Sequence, residues 1–204
     1  MIDWYHLVLF LHILGVLGLF MGVAVQLISM QGARRAQSVE AVRLWSSVLR
    51  PLGRFMLLTS LLILFAGLAM LLEAWGWSQA WLDISLVLFL LTGLVTSRVN
   101  SAHGRRLGSQ LARAGAGPVS PELRQLLTHP LPWTTTITTS TLAVGIVFLM
   151  VMKPDWIGSL LTVAVAVLIS AAISGLVIRQ GGTGPAMTPQ DQESLSASQT
   201  ANRR

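Results

Sequence analysis

The sequence predicts an all-α, polytopic bundle of five membrane-spanning helices, with the N-terminus out and the C-terminus in, on three observations. The first is composition: of 204 residues, 53% are hydrophobic and 11% charged, and the mean hydropathy is +0.67. Soluble domains carry about 25% charged residues, which argues against a water-soluble fold. The second is that the apolar residues are gathered into blocks of membrane-spanning length. The third is that 13 of the 14 basic residues are arginines, and these fall on alternate connections, the signature of cytoplasmic loops.

A bilayer core of about 30 Å needs roughly 20 apolar residues of helix. Blocks over about residues 7–30, 55–73, 133–152 and 157–178 meet this, and a shorter one over 81–98 is retained because of the arginines. If all five span, Arg34, Arg35, Arg43, Arg50 and Arg54 share a side with Arg98, Arg105, Arg106, Arg113 and Arg124, and with Arg179, Arg203 and Arg204 of the tail. The opposite side holds Lys153 with Asp3, Glu73, Asp83 and Asp155, and Trp4, Trp75, Trp77, Trp81 and Trp156 form its aromatic belt. Trp81 and Asp83 are expected in the interface.

Local signals set the boundaries. The N-terminal block lacks a basic flank and exceeds a signal-peptide core, so it stays as a helix. Pro51 and Gly53 are expected to break the chain before the second helix, and His129-Pro130-Leu131-Pro132 before the fourth. Beyond Arg98 the third helix continues as an amphipathic stretch, with Val99, Ala102 and Leu107 toward the membrane. Ser120 reads as an N-cap with Pro121 at the first helical position and Glu122 in the first turn, giving a short helix to about Thr128. Lys153-Pro154-Asp155-Trp156 makes a tight hairpin. Residues 1–180 thus form the membrane domain, and the Gly-, Ser- and Gln-rich residues 181–204 a disordered cytoplasmic tail.

On the first helix, His12, Gly15, Leu19, Gly22 and Gln26 share a face, with Gly18 and Ser29 beside it. Small residues let helices approach closely, and polar ones face the bundle rather than lipid. His12 is therefore interior, about 10 Å below the outer boundary at 1.5 Å per residue. An imidazole there is either satisfied by a neighbouring helix or serves as a ligand to haem iron or copper. His6 lies on another face, so a haem would pair His12 with Met70, or with a second chain's histidine in a homodimer. A copper site would recruit His6 and His12, with Met70, Met150 and Met152. His103 and His129 lie among arginines. The Thr134 to Thr141 hydroxyls either line a pathway or bond back to their own helix. The stripe Ser159, Thr162, Ala166 and Ser170 offers an exposed face for a homodimer.

Disulfides, thiolate metal sites and thiol catalysis are excluded by the absence of cysteine. No nucleotide loop, metalloprotease helix or serine elbow is present, and the basic residues accompany no aromatic-interleaved domain that would take nucleic acid as a partner.

The segments HLVLFLHILGVLGLFMG, LGRFMLLTSLLILFAGLAML, WLDISLVLFLLTGLVTSRVNSAHGRRL and FLMVMKPDWIGSLLTVAVAV resemble small bacterial integral membrane proteins of a domain-of-unknown-function family, over about residues 5–178. More distantly, an early first-helix histidine followed by glycines is similar to the copper-resistance D proteins and to the haem-carrying membrane protoporphyrinogen oxidase. That similarity implies a functional role for the residue matching His12. The chain departs from both at residues 18–20, where a tryptophan is common, and in lacking a second deep histidine. The leading reading is a multi-pass protein of the bacterial inner membrane with a structural or accessory role and no enzymatic activity of its own. A haem-binding or copper-handling redox protein using His12 is the alternative, and a small permease along the threonines the second.

Overall fold

Long uninterrupted helices follow from the apolar blocks, and the computed structural model, which describes residues 3–77 and 79–181, shows them running well past the hydrocarbon core. In order they are α1 (Trp4–Arg35), α2 (Val39–Met70), α3 (Ala80–Arg113), α4 (Pro121–Thr128), α5 (Pro130–Met152) and α6 (Trp156–Gly181). A π-helical turn, Leu71–Trp75, closes α2 before Gly76 at φ 65°. Among the described residues, five segments are long and apolar enough to cross a bilayer: Trp4–Arg35, Val39–Ala74, Ala80–Arg113, Pro121–Met152 and Trp156–Leu176. At 1.5 Å per residue α1 is about 48 Å long and α3 about 51 Å, so both project beyond a core of about 30 Å.

The second helix corrects the sequence reading. Pro51 and Gly53 do not break the chain; α2 begins twelve residues earlier at Val39, with Pro51 inside it and the Ser38 hydroxyl accepting the Ala41 N–H at 3.3 Å. A mid-helix proline costs about 3 kcal/mol, but the turns before it bury Val39 and Val42 and lay Trp45 over Gly32. Pro51 itself is exposed. Burial of the upstream segment outweighs the lost backbone hydrogen bond.

Those projecting turns build a second hydrophobic core at the Arg-rich end. Ala33 and Ala36 at the end of α1, Val39 and Val42 at the start of α2, Leu107 and Leu111 near the end of α3, and Leu123 and Leu127 of α4 are buried against one another. Leu107 thus faces protein rather than the membrane, because α4 folds back over it. The predicted capping of α4 is present, with the Ser120 hydroxyl accepting the Leu123 N–H at 3.3 Å and Pro121 at its start.

Polar groups tie this end together. The Arg43 guanidinium donates to the carbonyls of Leu111 (3.0 Å) and Ala114 (2.7 Å), closing the C-terminus of α3, where a cation also meets the helix dipole. Arg124 donates to the Arg34 carbonyl at 2.9 Å, and the Arg34 guanidinium lies 5.3 Å over the Trp133 ring. The α1–α2 and α3–α4 connections pair through Val39 N–H to Gly117 (2.9 Å) and Val119 N–H to Gln37 (3.2 Å).

Within the membrane the helices meet through small residues. α1 packs on α2 along Gly15, Gly18 and Gly22, where an added Cβ would come within 2.8, 2.6 and 2.9 Å of Ile63, Thr59 and Met56 side chains. α3 packs chiefly on α5. The small-residue stripe of α6 is a further correction: Ser159, Ala166 and Ser170 are buried, and Ala166 lies 3.3 Å from where a Gly145 Cβ would stand on α5. The stripe is used inside the chain and offers no exposed dimer face.

Residues Met1–Ser174 form one unit and Gly175–Arg204 a second, of which the described part is the end of α6. The polar tail from residue 182 onward lies outside the described residues.

Candidate functional site

His12 stands on the buried stripe of α1 with Gly15, Gly22, Gln26 and Ser29, and its ring is 6% exposed. The glycine seam brings α2 close enough for His12 Nδ1 to lie 3.0 Å from the Ile63 carbonyl oxygen. Gly67, one turn further along α2, makes room for the ring: a Cβ there would sit 3.2 Å from Cε1 and 3.4 Å from Nδ1. A carbonyl only accepts, so Nδ1 carries the proton and the neutral ring keeps a lone pair on Nε2. Nε2 is buried and has no partner.

The ring forms part of the wall of a cavity of about 530 Å³ between the α1–α2 and α3–α5 pairs. Its lining is almost wholly aliphatic and aromatic, drawn from all four helices, and includes the thioethers of Met70 and Met150. At the cavity's tryptophan-bearing end are Trp81 and Lys153, with the Lys153 ammonium 5.8 Å from the Trp81 ring centroid. Trp81 is 7% exposed and forms part of the cavity wall, while Trp4, Trp77 and Trp156 are exposed. Ser85, also in the lining, donates its hydroxyl to the Trp81 carbonyl at 2.6 Å. His12 is thus the buried polar group of this wall that has an unpartnered atom.

The other candidates lie elsewhere. His6 is exposed, with Nδ1 3.3 Å from an Asp3 carboxylate oxygen, so the structure does not bring it to His12. Met152 is exposed. His103 is half-buried at the Arg-rich end, and His129 there accepts the Leu131 N–H at 3.3 Å, opening α5. Among the described residues no three His, Asp or Glu side chains cluster as metal ligands.

Five hydroxyls of α5 bond back to their own helix. Thr134 donates to Leu131 (3.1 Å), Thr136 to Pro132 (2.8 Å), Thr139 to Thr135 (2.9 Å), Ser140 to Thr136 (2.6 Å) and Thr141 to Ile137 (3.0 Å). Thr136 also accepts from Gln26 Nε2 at 3.0 Å, joining α1 to α5 in the Arg-proximal half.

A family model described as "Predicted integral membrane protein (DUF2269)" matches residues 6–154. The chain belongs to this family. The matched segment contains α1 from His6 through α5 and the Lys153 hairpin, and so nearly the whole cavity wall; α6 follows it. No curated protein and no solved structure matches the chain. The family description supports a multi-pass integral membrane protein and carries no activity.

Sequence reasoning found His12 and Met70 but missed the partners that define the site. Gly67 and the Ile63 carbonyl become visible only with the register of α1 on α2. Trp81 and Lys153 carried a signal as the WLD and KPD segments, which read as boundary motifs rather than as cavity walls.

Proposed function

We propose that this chain is a multi-pass protein of a bacterial inner membrane, N-terminus out and C-terminus in, that holds haem in the cavity between its helix pairs, where His12 would be the residue that holds it. The observation that carries the reading is His12 itself: a residue in the wall of an apolar cavity, its Nδ1 proton given to a backbone carbonyl, with Nε2 buried and unpartnered, so that a small turn of the ring would present it to the cavity. Metal-bound histidines characteristically donate their other ring N–H to a carbonyl or carboxylate, which fixes tautomer and orientation. An unsatisfied buried polar atom costs about 1–3 kcal/mol, and ligation would remove that cost.

The residues fit the group. The cavity volume lies within the usual range of about 300–1,000 Å³ for cofactor sites, and its apolar lining excludes water. Met70 and Met150, also in the lining, are the thioethers that could contribute a further ligand to the group. Bound there, haem supplies one-electron chemistry, and a methionine ligand raises its potential. The protein's own part is to orient His12 through Ile63 and Gly67 and to keep the pocket dry. The copper reading is less well supported, since His6 and Met152 stand away from His12. The permease reading is less well supported, since five of the α5 hydroxyls donate to their own helix.

The orientation rests on the arginines gathered at one end. A reporter fused after residue 116 is expected to score as cytoplasmic; a periplasmic score overturns the orientation. For haem, protein expressed with ample haem supply is expected to purify with stoichiometric haem. His12→Ala is expected to lose it while His103→Ala keeps it, and haem-free wild-type protein overturns the reading.

A further inference from the structure

The cavity is unevenly enclosed. Its α2 and α3 linings are buried or half-buried throughout, whereas the exposed members of its lining are Ile13 and Leu17 on α1, Val147 and Val151 on α5, and Lys153. Direct contact between α1 and α5 is sparse compared with that between α1 and α2. α1 and α5 are joined by the buried hydrogen bond from Gln26 to Thr136, whereas α1 is held against α2 by its glycines all along the way back to Gly15. Leu17 lies about 14 Å from Gln26 along α1, and Val147 about 17 Å from Thr136 along α5, at 1.5 Å per residue. Between that anchored point and the tryptophan-bearing end, the exposed lining residues of both helices are aliphatic and lie at hydrocarbon depth.

We infer that this gap is a lateral portal, through which the cavity takes its occupant from the hydrocarbon phase of the bilayer rather than from water. The rim is apolar on both sides, so the apolar body of a solute crosses it without displacing a polar contact, whereas an approach from the aqueous end meets Trp81 and Lys153. The ligand class that follows is a membrane-dissolved amphiphile: an apolar body that passes between Leu17 and Val147, and a polar end that stays at the depth of the tryptophan-bearing end of the cavity. Haem, with its carboxylates, is of this class; the inference rests on the proposed function only for the ligand's identity, not for the route.

The chain has no cysteine, so the gap can be closed specifically. Leu17→Cys and Val147→Cys would be bridged by a short bis-methanethiosulfonate, and a double variant Leu17→Trp, Val147→Trp would plug the gap without chemistry. Each protein is reconstituted in phosphatidylcholine vesicles with a phospholipid bearing a diazirine in its acyl chain, photolysed and mapped by mass spectrometry. The expected result is labelling of Ile63 and Ile146, buried residues of the cavity wall, in the unmodified chain. That labelling is lost on bridging or plugging, while labelling of lipid-facing Leu168 is unchanged. Cavity-wall labelling that is absent from the unmodified chain, or that survives both closures, overturns the portal. The His12-dependent haem band is read on the same samples: its absence with portal-dependent labelling intact overturns haem and leaves the route standing.

Discussion

At the Arg-rich end Leu123 is 2% exposed among aliphatic side chains from four helices, while in the membrane the contact between α1 and α2 is made by glycines under Thr59, Ile63 and Met56. The first region excludes water and gains from the hydrophobic effect as any soluble core does. The second cannot, because lipid tails are as apolar as leucine, so close packing and a few buried hydrogen bonds must hold it. The lesson is that one chain uses each rule where its solvent allows, and that the membrane region tolerates an open cavity because its walls lose little by facing lipid.

The largest expected effect comes from the same substitution made in both regions. Leu123→Ala should cost about 2–5 kcal/mol, the range for a buried leucine in a water-facing core. Leu168→Ala, at a position 69% exposed on α6, should cost less than about 0.5 kcal/mol, in the range of ordinary surface changes. Equilibrium unfolding in mild detergent measures both, and equal losses would break the distinction.

The next effect tests the glycine seam. Gly15→Ala would place a Cβ 2.8 Å from an Ile63 carbon and 3.2 Å from the Ile63 nitrogen and Thr59 oxygen of the backbone, and overpacking of this kind costs about 1–3 kcal/mol. Gly53→Ala is its counterpart, with nothing within 4 Å of the new Cβ, and should stabilise α2 by about 0.5–1 kcal/mol through helix propensity. The two melting temperatures should therefore move in opposite directions.

Gln26→Leu should cost less, since buried hydrogen bonds between membrane helices average about 0.6 kcal/mol and reach about 1.7. A double-mutant cycle with Thr136→Val isolates the pair. Smallest is Lys153→Gly. Lys153 has φ 49° at the end of α5, a left-handed conformation that costs a non-glycine residue about 1–2 kcal/mol. Relief of that cost is offset by loss of the contact over Trp81, worth about 0.5–1 kcal/mol at an exposed site. A melting temperature within a few degrees of wild type is expected; a large fall would give Lys153 a structural part beyond this turn.

The five spanning helices, the short helix at Pro121 and the interior place of His12 were legible because each rests on local information: apolar block length, a cap, and a polar residue on a small-residue stripe. The Arg-rich core was not. Residues 39–50 read as an Arg-bearing loop, and the stretch beyond Arg98 as an amphipathic helix with Leu107 toward the membrane, yet Val39, Val42, Leu107 and Leu111 find one another only in three dimensions. Pro51 misled for a related reason, since its local cost is fixed while the burial that outweighs it is tertiary. Of the site, His12 and Met70 could be named in advance; the Ile63 carbonyl, the space left by Gly67, and Trp81 as a wall depend on helix pairing that no single segment encodes. The α6 stripe was recognised as a packing surface but assigned to a second chain, because composition cannot distinguish a neighbour in the same chain from one in another.

The most direct test of the account is chemical rescue at His12. A reduced-minus-oxidised visible spectrum would be recorded for wild-type protein and for His12→Gly, with and without added imidazole. The account predicts a haem band in the wild type, its loss in His12→Gly, and its return when imidazole enters the vacated space beside Gly67. A band that persists in His12→Gly without imidazole would show that another residue holds the haem and would contradict the assignment of His12.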